Sequence, residues 1–383
     1  MHQNDDVLLR DLETFQPKDS IHVSAPAAEI QSTPPTETPL EPLPHTVYFL
    51  NRDRERWGDL IGNLNPPPVE TFSNRQVIAK DIWIVQTYSQ LRRRGLGVQL
   101  VDKLVPEAIN LCTYDDLVAK EMPWNSYMVT VRHDRGRPLI CEQRIVQNKS
   151  NIVDETDHYL PHWPQPGIIG RDESRSDRVE TAVYMGHKLY MRGPLGDPTL
   201  PGRLQDIGVT FTPRFGDVES KKTDWTDHRE VDVIIAIRDC TVYDANNKPP
   251  SKLINAWLAG CPAVLGPESA FQQLRESELD YIEVRTLDDI VNAVKRLKDD
   301  PALYRAMREN GLRRGADFTA ERTARRWRDL LAGPIAQGYE RWRREPMAMI
   351  TRPLRFAMRL PAHRRARKQY RHEIHHGPRL LSA

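Results

Sequence analysis

Cysteine is scarce: Cys112, Cys141, Cys240 and Cys261 are the only four in 383 residues, far apart and without a C-x-x-C pair. Each stands beside apolar residues, so they read as buried, reduced thiols rather than a disulfide framework or a zinc ligand set. Long apolar runs are missing as well; none approaches the roughly 18 residues that mark a membrane-spanning helix. The opening MHQNDDVLLRDLETF is acidic and has no apolar signal core, which together with the thiols points to a cytoplasmic protein. Neither sign of charge prevails. The net charge of +2 is too small for a global field that would hold nucleic acid. Two phosphate-binding signatures are absent, the G-x-x-x-x-G-K-[ST] loop and a G-x-G-x-x-G after a strand. Gly95-Leu96-Gly97 reads as the end of a helix instead.

Proline, by contrast, is abundant at 30 residues, and its placement divides the chain. Residues 1–45 are rich in Pro, Ser, Thr and Glu and poor in aromatics, so they cannot bury enough surface to offset their ordering entropy; a disordered tail is expected. Strand-like runs follow at 46–50, 98–104, 108–117, 126–134 and 139–148, with a helical spacing of Ile82, Val85, Tyr88 and Leu91 over 79–95. Strands alternating with helices imply an α/β layer with a parallel sheet. DHYLPHWPQPGIIGRD at 157–172 interrupts the rhythm with three prolines and reads as a connector. A second α/β pattern then has strands expected at 179–186, 204–213, 231–239, 262–266 and 281–286 and helices at 287–300, 301–318 and 319–333. The division is therefore a domain at 46–160, a linker at 161–178, a second domain at 179–333 and a basic extension at 334–383. Two such domains facing each other make a cleft at the carboxyl ends of their strands.

The most informative stretch is NNKPPSKLINAWLAGCPAVLGPES, positions 246–269. Pro249 and Pro250 start a helix, where a missing N–H is harmless. Leu253, Ile254, Trp257 and Leu258 then bury most of its surface. Ser251, Lys252 and Asn255 share the one polar side of its first turn. A cation at a helix N-terminus opposes the macrodipole by a few tenths to about 1 kcal/mol. The arrangement is understandable if an anion such as phosphate sits there; alternatively Lys252 reaches solvent and Asn255 bonds a loop carbonyl. Lys248 precedes the helix. Glu268 and Ser269 follow the next strand, Gly186 ends the first strand of the domain, and Arg238 ends the strand 231–239. All of these fall where an α/β sheet places ligand loops.

KPPSKLINAWLAGCPAVLGPES resembles the donor-binding segment of glycosyltransferases of the GT-B fold, of the group 1 or family 4 type. The order of elements from 179 to 332 is similar to theirs, closing with DDPALYRAMRENGLRRGADFTAERTARRWRDLL; the resemblance of 46–160 to their acceptor domain is less specific. The resemblance implies two Rossmann-like domains and transfer of a hexosyl or deoxyhexosyl group. The co-substrate would be a nucleoside-diphosphate sugar, the acceptor a glycan or lipid-linked glycan, with no chelated metal or other cofactor. Lys252 would contact the diphosphate, with Ser251, Asn255 and Glu268 near the diphosphate, ribose or sugar. One departure stands out: the Glu-x7-Glu pattern of many retaining members falls on Asn247 and Asn255. Stereochemistry therefore stays open, as does a non-catalytic nucleotide-binding or scaffold role.

An inverting transfer needs a base beside the acceptor hydroxyl. Asp81, opening a helix, and His133, ending a strand, are the candidates; a first-turn acid complementing the helix dipole and a structural histidine are the plainer readings. From Arg341 to Ala383 there are twelve Lys and Arg against two Glu. Within 341–376 these alternate with Met, Ile, Leu and Phe. That segment suits an anionic membrane surface, a helix crossing back over the first domain, or, least of the three, an RNA-binding arm.

Overall fold

The computed structural model describes residues 37–76, 78–216 and 225–382; the expected N-terminal tail lies outside them up to residue 36, but 37–45 are not a free tail, since the Leu40 N–H donates to the Arg94 carbonyl at 3.0 Å and Leu40 and Leu43 pack on the first core. Everything described belongs to one compact unit, 37–383.

Two parallel sheets organise it. The first comprises β1 (Val47–Leu50), β2 (Val98–Val101), β3 (Ile109–Thr113), β4 (Tyr127–Arg132), β5 (Gln143–Val146) and β6 (Asp157–Tyr159), in the order β2-β1-β3-β4-β5-β6. The second comprises β7 (Thr181–Gly186), β8 (Thr210–Phe215), β9 (Val233–Ala236), β10 (Ala263–Leu265) and β11 (Ile282–Glu283), in the order β11-β10-β9-β7-β8. β3, β4, β9 and β10 are buried at every position. That is why they read as largely apolar runs, broken in β3 and β4 by buried Asn110, Thr130 and Arg132: helices cover both faces of a parallel sheet.

Three expectations need correction. The stretch 157–172 is not all connector, because Asp157–Tyr159 pairs beside β5 as an edge strand. The run 204–213 is half helix: Leu200–Asp206 is helical, with Pro201 in its first turn and Leu200 and Leu204 buried, and the strand begins only at Thr210. The run 281–286 keeps just two paired residues in β11. The expected helices at 287–300 and 301–318 are Leu287–Asp299, with a Thr286–Asp289 capping box, and Pro301–Gly315, capped by Asp300.

The chain returns to the first sheet before residue 333. In the Ala320–Leu330 helix, Ala324, Trp327 and Leu330 share one buried core with Val47, Phe49 and Trp83. Tyr339 and Trp342 of the Ala336–Arg343 helix extend that core over Tyr127. Gly338 lets this helix lie close: a Cβ there would collide with the Tyr127 hydroxyl and the Gln143 amide. Gly338→Ala is therefore expected to destabilise by about 1–3 kcal/mol, the usual cost of overpacking, read as a lower denaturation midpoint at unchanged m-value.

A long helix, Ala348–His376, follows, with Pro353 and Pro361 inside it. Beyond it the chain reaches the second sheet's side, where the Val242 N–H donates to the Pro378 carbonyl at 2.9 Å and the Leu380 N–H to the Cys240 carbonyl at 2.9 Å. No described helix is long and apolar enough to cross a membrane. All four cysteines are free thiols, three of them buried.

Candidate functional site

The carboxyl ends of the two sheets face a common cleft with a cavity of about 190 Å³. The second sheet contributes Tyr184, Met185 and Gly186 at the end of β7 and Arg238 just past β9. The helix Ser251–Ala259 contributes Ser251, Lys252 and Asn255 from its first turn. The first half contributes Ile78, Ile82, Gln86 and Asp134, and the segment from His162 to Gln165 forms a wall.

Lys252 is the centre of this arrangement. Its ammonium donates to the Met185 carbonyl and lies 4.9 Å from the centroid of the Tyr184 ring. Burial and the nearby Arg238 push its pKa down to about 7. Gly186 makes the approach possible: a Cβ there would sit 2.5 Å from the Tyr184 hydroxyl and 2.9 Å from Lys252 Nζ. No side chain caps the helix that Lys252 opens, so the end of that helix is turned to the cavity without a built-in anion.

Two further cations line the cleft. Arg238 donates from Nη1 to Glu268 Oε1 at 3.3 Å; burial opposes its charge, yet the facing Glu268 carries its pKa upward. Lys248 lies 3.2 Å from Asp244 and 3.8 Å from Asp134, beside the Tyr190 ring. Burial works against its charge too, and Asp134 and Asp244 raise its pKa above the usual lysine value. Among the described residues lining the cavity, Asp134 is the only carboxylate against these three cations.

The remaining expected residues fall elsewhere. Glu268 is fully buried behind Arg238; burial raises its pKa, and its Oε2 has no hydrogen-bond partner. Ser269 begins a short helical turn next to it and does not line the cavity. Asp81 is wholly buried, accepts from Trp57 Nε1 at 3.1 Å and Arg56 Nη2 at 3.0 Å, and does not line the cavity. His133 is buried outside the cavity, neither ring nitrogen has a hydrogen-bond partner, and burial lowers its pKa. The two asparagines hold the halves together. Asn247 Oδ1 accepts from Arg132 Nη2 at 3.1 Å, its carbonyl accepts from Gln147, and Asn255 Oδ1 accepts from the Gln165 N–H at 3.1 Å.

Several cavity residues escaped the sequence reading, among them His162, Asp134, His187 and His228. His162 lay in the proline-rich stretch read as linker, because proline is a good sign of irregular backbone and a poor guide to what that backbone lines. Its Nδ1 meets the Trp163 carbonyl at 2.7 Å. A carbonyl only accepts, so Nδ1 carries the proton and Nε2 presents a lone pair. Burial also lowers its pKa, which keeps the ring neutral. Asp134 stands one residue beyond His133, at a left-handed φ of 43°; that turn after β4 sends it, and not its neighbour, to the cleft.

No family model matches the chain, and no curated protein matches it. Among solved structures, the sucrose-phosphate synthase of Thermosynechococcus elongatus superposes with a TM-score of 0.52 at 12% identity, over 78% of this chain and 100% of that one. The fold is GT-B. Two other GT-B structures match less closely. AviGT4, a glycosyltransferase involved in avilamycin A biosynthesis, has a TM-score of 0.47 at 12% identity, over 78% of this chain and 98% of that one. Anabaena HepE, solved with UDP and glucose, has a TM-score of 0.43 at 9% identity, over 75% and 99%. In this GT-B chain the cations come from the second sheet's half and His162 from the connecting segment, and all of them line one cavity.

Proposed function

We propose that this protein is a glycosyltransferase that takes its sugar from a nucleoside diphosphate and passes it to a hydroxyl of a glycan or lipid-linked glycan. The observation that supports this reading is the convergence of Arg238, Lys248 and Lys252 on a cleft with a single lining carboxylate. Glu268 and Asp244 already pair with Arg238 and Lys248, so a diphosphate meets Lys252 directly and shares the other two cations with those carboxylates. When the glycosidic bond to the diphosphate breaks, negative charge grows on the leaving oxygen. Fixed cations in a partly dry cleft stabilise that growth without reorganising. The nucleotide sugar is a co-substrate in this reading, and the side-chain cations supply the charge compensation.

In this reading His162, which lines the cavity, serves the acceptor. With Nδ1–H held by a carbonyl, Nε2 takes the hydroxyl proton as the oxygen attacks, and lowering its pKa keeps it ready for that role. His162→Ala is expected to lower kcat by about 10²–10⁴-fold while nucleotide affinity stays within twofold or so. The acid limb of the wild-type pH profile should lie below the ordinary histidine value of 6.5. An unchanged kcat removes this role from His162.

The cavity of about 190 Å³ is below the roughly 300–1,000 Å³ of ordinary ligand pockets, so a whole nucleotide sugar requires the cleft to widen. The deciding experiment is thermal denaturation with UDP, GDP, dTDP, CMP and their sugars, followed by a turnover assay with each stabilising sugar. Stabilisation by one nucleotide class together with sugar release or transfer supports the reading. Stabilisation without turnover across acceptors favours a non-catalytic binding module, the role that the structural use of Asn247 and Asn255 also suits.

A further inference from the structure

The Ala348–His376 helix is firmly seated by one face. Arg352 donates to Glu107 at 3.0 Å and to the Trp342 carbonyl at 2.7 Å. The Phe356 ring lies 4.6 Å from that of Trp124. His363 Nδ1 accepts from the Leu139 N–H at 3.3 Å, and the Tyr370 hydroxyl donates to the Asp134 carbonyl. These inward positions recur at helical spacing, so the opposite face is fixed outward.

That outward face is unusual in composition. Met347, Ile350, Leu354 and Met358 follow one another at three- and four-residue steps and are 72%, 67%, 59% and 73% exposed. Adjacent Met349 is 93% exposed. Scattered exposed apolar residues are ordinary, but a contiguous stripe of them marks an interaction surface. Farther along the same face come Arg364, Arg365, Lys368 and Arg371, all exposed. Among the described residues none of these four has an ion-pair partner, although most other arginines of the molecule do.

We propose that this face is a docking surface for an anionic phospholipid bilayer, lying in the plane of the headgroups. The charge pattern argues for this occupant. Four unpaired cations match lipid phosphates, and the unbranched, flexible Met side chains beside them enter the acyl boundary. A nucleic acid would pair with the cations but leave the apolar stripe in water. The face also carries no Phe, Tyr or Trp on which bases could stack. The inference rests on the helix alone and holds whatever reaction the cleft performs.

The test is co-sedimentation of the full chain with vesicles of phosphatidylcholine, alone or with about one third phosphatidylglycerol, at physiological salt. Two variants are compared, Ile350→Gln/Leu354→Gln/Met358→Gln and Arg364→Gln/Arg365→Gln/Lys368→Gln; all six side chains point outward, and thermal denaturation confirms that the fold is kept. The wild type is expected to bind the anionic vesicles and not the neutral ones. At roughly fivefold per cation, the charge variant should lose on the order of a hundredfold in partitioning, and the apolar variant about tenfold or more. The proposal is overturned by a wild type that ignores anionic vesicles, by an apolar variant that binds them undiminished, or by selective binding of single-stranded RNA in their place.

Discussion

Replacing Lys252 by methionine should remove one charge-assisted contact to the bound diphosphate and weaken nucleotide binding about 10- to 100-fold, the equivalent of roughly 1.5–3 kcal/mol. The same substitution should leave the unliganded protein no less stable. Lys252 is a cation held in a cleft beside Arg238, and its pKa of about 7 records that the charged form is disfavoured there. Methionine keeps the aliphatic stem against Tyr184 and removes the charge. At a nucleotide concentration of 100 times Kd, the wild type gains about 2.7 kcal/mol of stability, and at the same concentration the variant should keep only about 0.4–1.4 kcal/mol of it. A variant that binds nucleotide as tightly as the wild type would remove Lys252 from the site.

The pH dependence gives this prediction a second signature. The folded-state pKa of Lys252, about 7, lies below its ordinary value of 10.5. Between those limits the unfolded chain binds more protons than the folded one, so this residue makes stability rise with pH from about 7 to about 10.5 and adds no slope below 7. A bound diphosphate favours the ammonium form. Binding therefore takes up a proton above pH 7, and affinity should fall by up to about tenfold per pH unit there. Calorimetric titration at several pH values, in wild type and Lys252→Met, reads this directly: the slope should disappear in the variant.

The largest effect on stability is expected at the opposite end of β9. Asp232 accepts six hydrogen bonds: from Arg171 Nε and Nη2 at 3.0 and 2.8 Å, from Arg175 Nε and Nη2 at 2.9 and 2.7 Å, and from the N–H groups of Glu180 and Thr181 at 2.8 and 2.9 Å. Its side chain and that of Arg171 are completely buried. Burial alone would raise the pKa of Asp232, but the arginines and amides outweigh it and hold the carboxyl below its usual range. Asp232→Ala leaves the Arg171 guanidinium uncompensated in the interior and should cost about 3–5 kcal/mol, about 4–7 °C in Tm for a unit of this size. This contribution is present above the unfolded carboxylate pKa and is lost as pH falls through the depressed folded value. Because Asp232 sits at the amino end of the strand and the cleft at the carboxyl end, whatever folds should bind nucleotide normally. A Tm within a degree or two of wild type would show that the network is dispensable.

Most of the architecture was legible from pattern. Largely apolar runs gave the buried strands β3, β4 and β9, and amphipathic pattern gave the helices expected at 287–300 and 301–318. The exceptions have physical causes. Leu200 and Leu204 are spaced for a helix, yet the following β-branched run Val209-Thr210 drew the whole segment toward strand. β6 is a short edge strand paired on one side, with little pattern to read. At the cleft, Gly186, Arg238, Lys248, Ser251, Lys252 and Asn255 all line the cavity, because strand ends and a polar first turn in an apolar helix are local signals. Asp134 and His162 depend on a left-handed turn and on the path of an irregular segment. Those are tertiary facts with no local signature. The same holds for Trp327, Tyr339 and Trp342, whose partners lie far away in sequence.

Those three aromatic residues also set the order of events on the ribosome. The first sheet is complete once β6 has emerged, but the side chains that seal one of its faces come from 320–343. At ordinary elongation rates that interval is on the order of ten seconds or more. Throughout it, Val47, Phe49 and their neighbours present an uncovered parallel sheet while the second sheet is already being made. The half synthesised first thus waits for its covering until the second sheet has been made, and nascent chains of this protein should be strong clients of the chaperones that meet polypeptides at the exit tunnel.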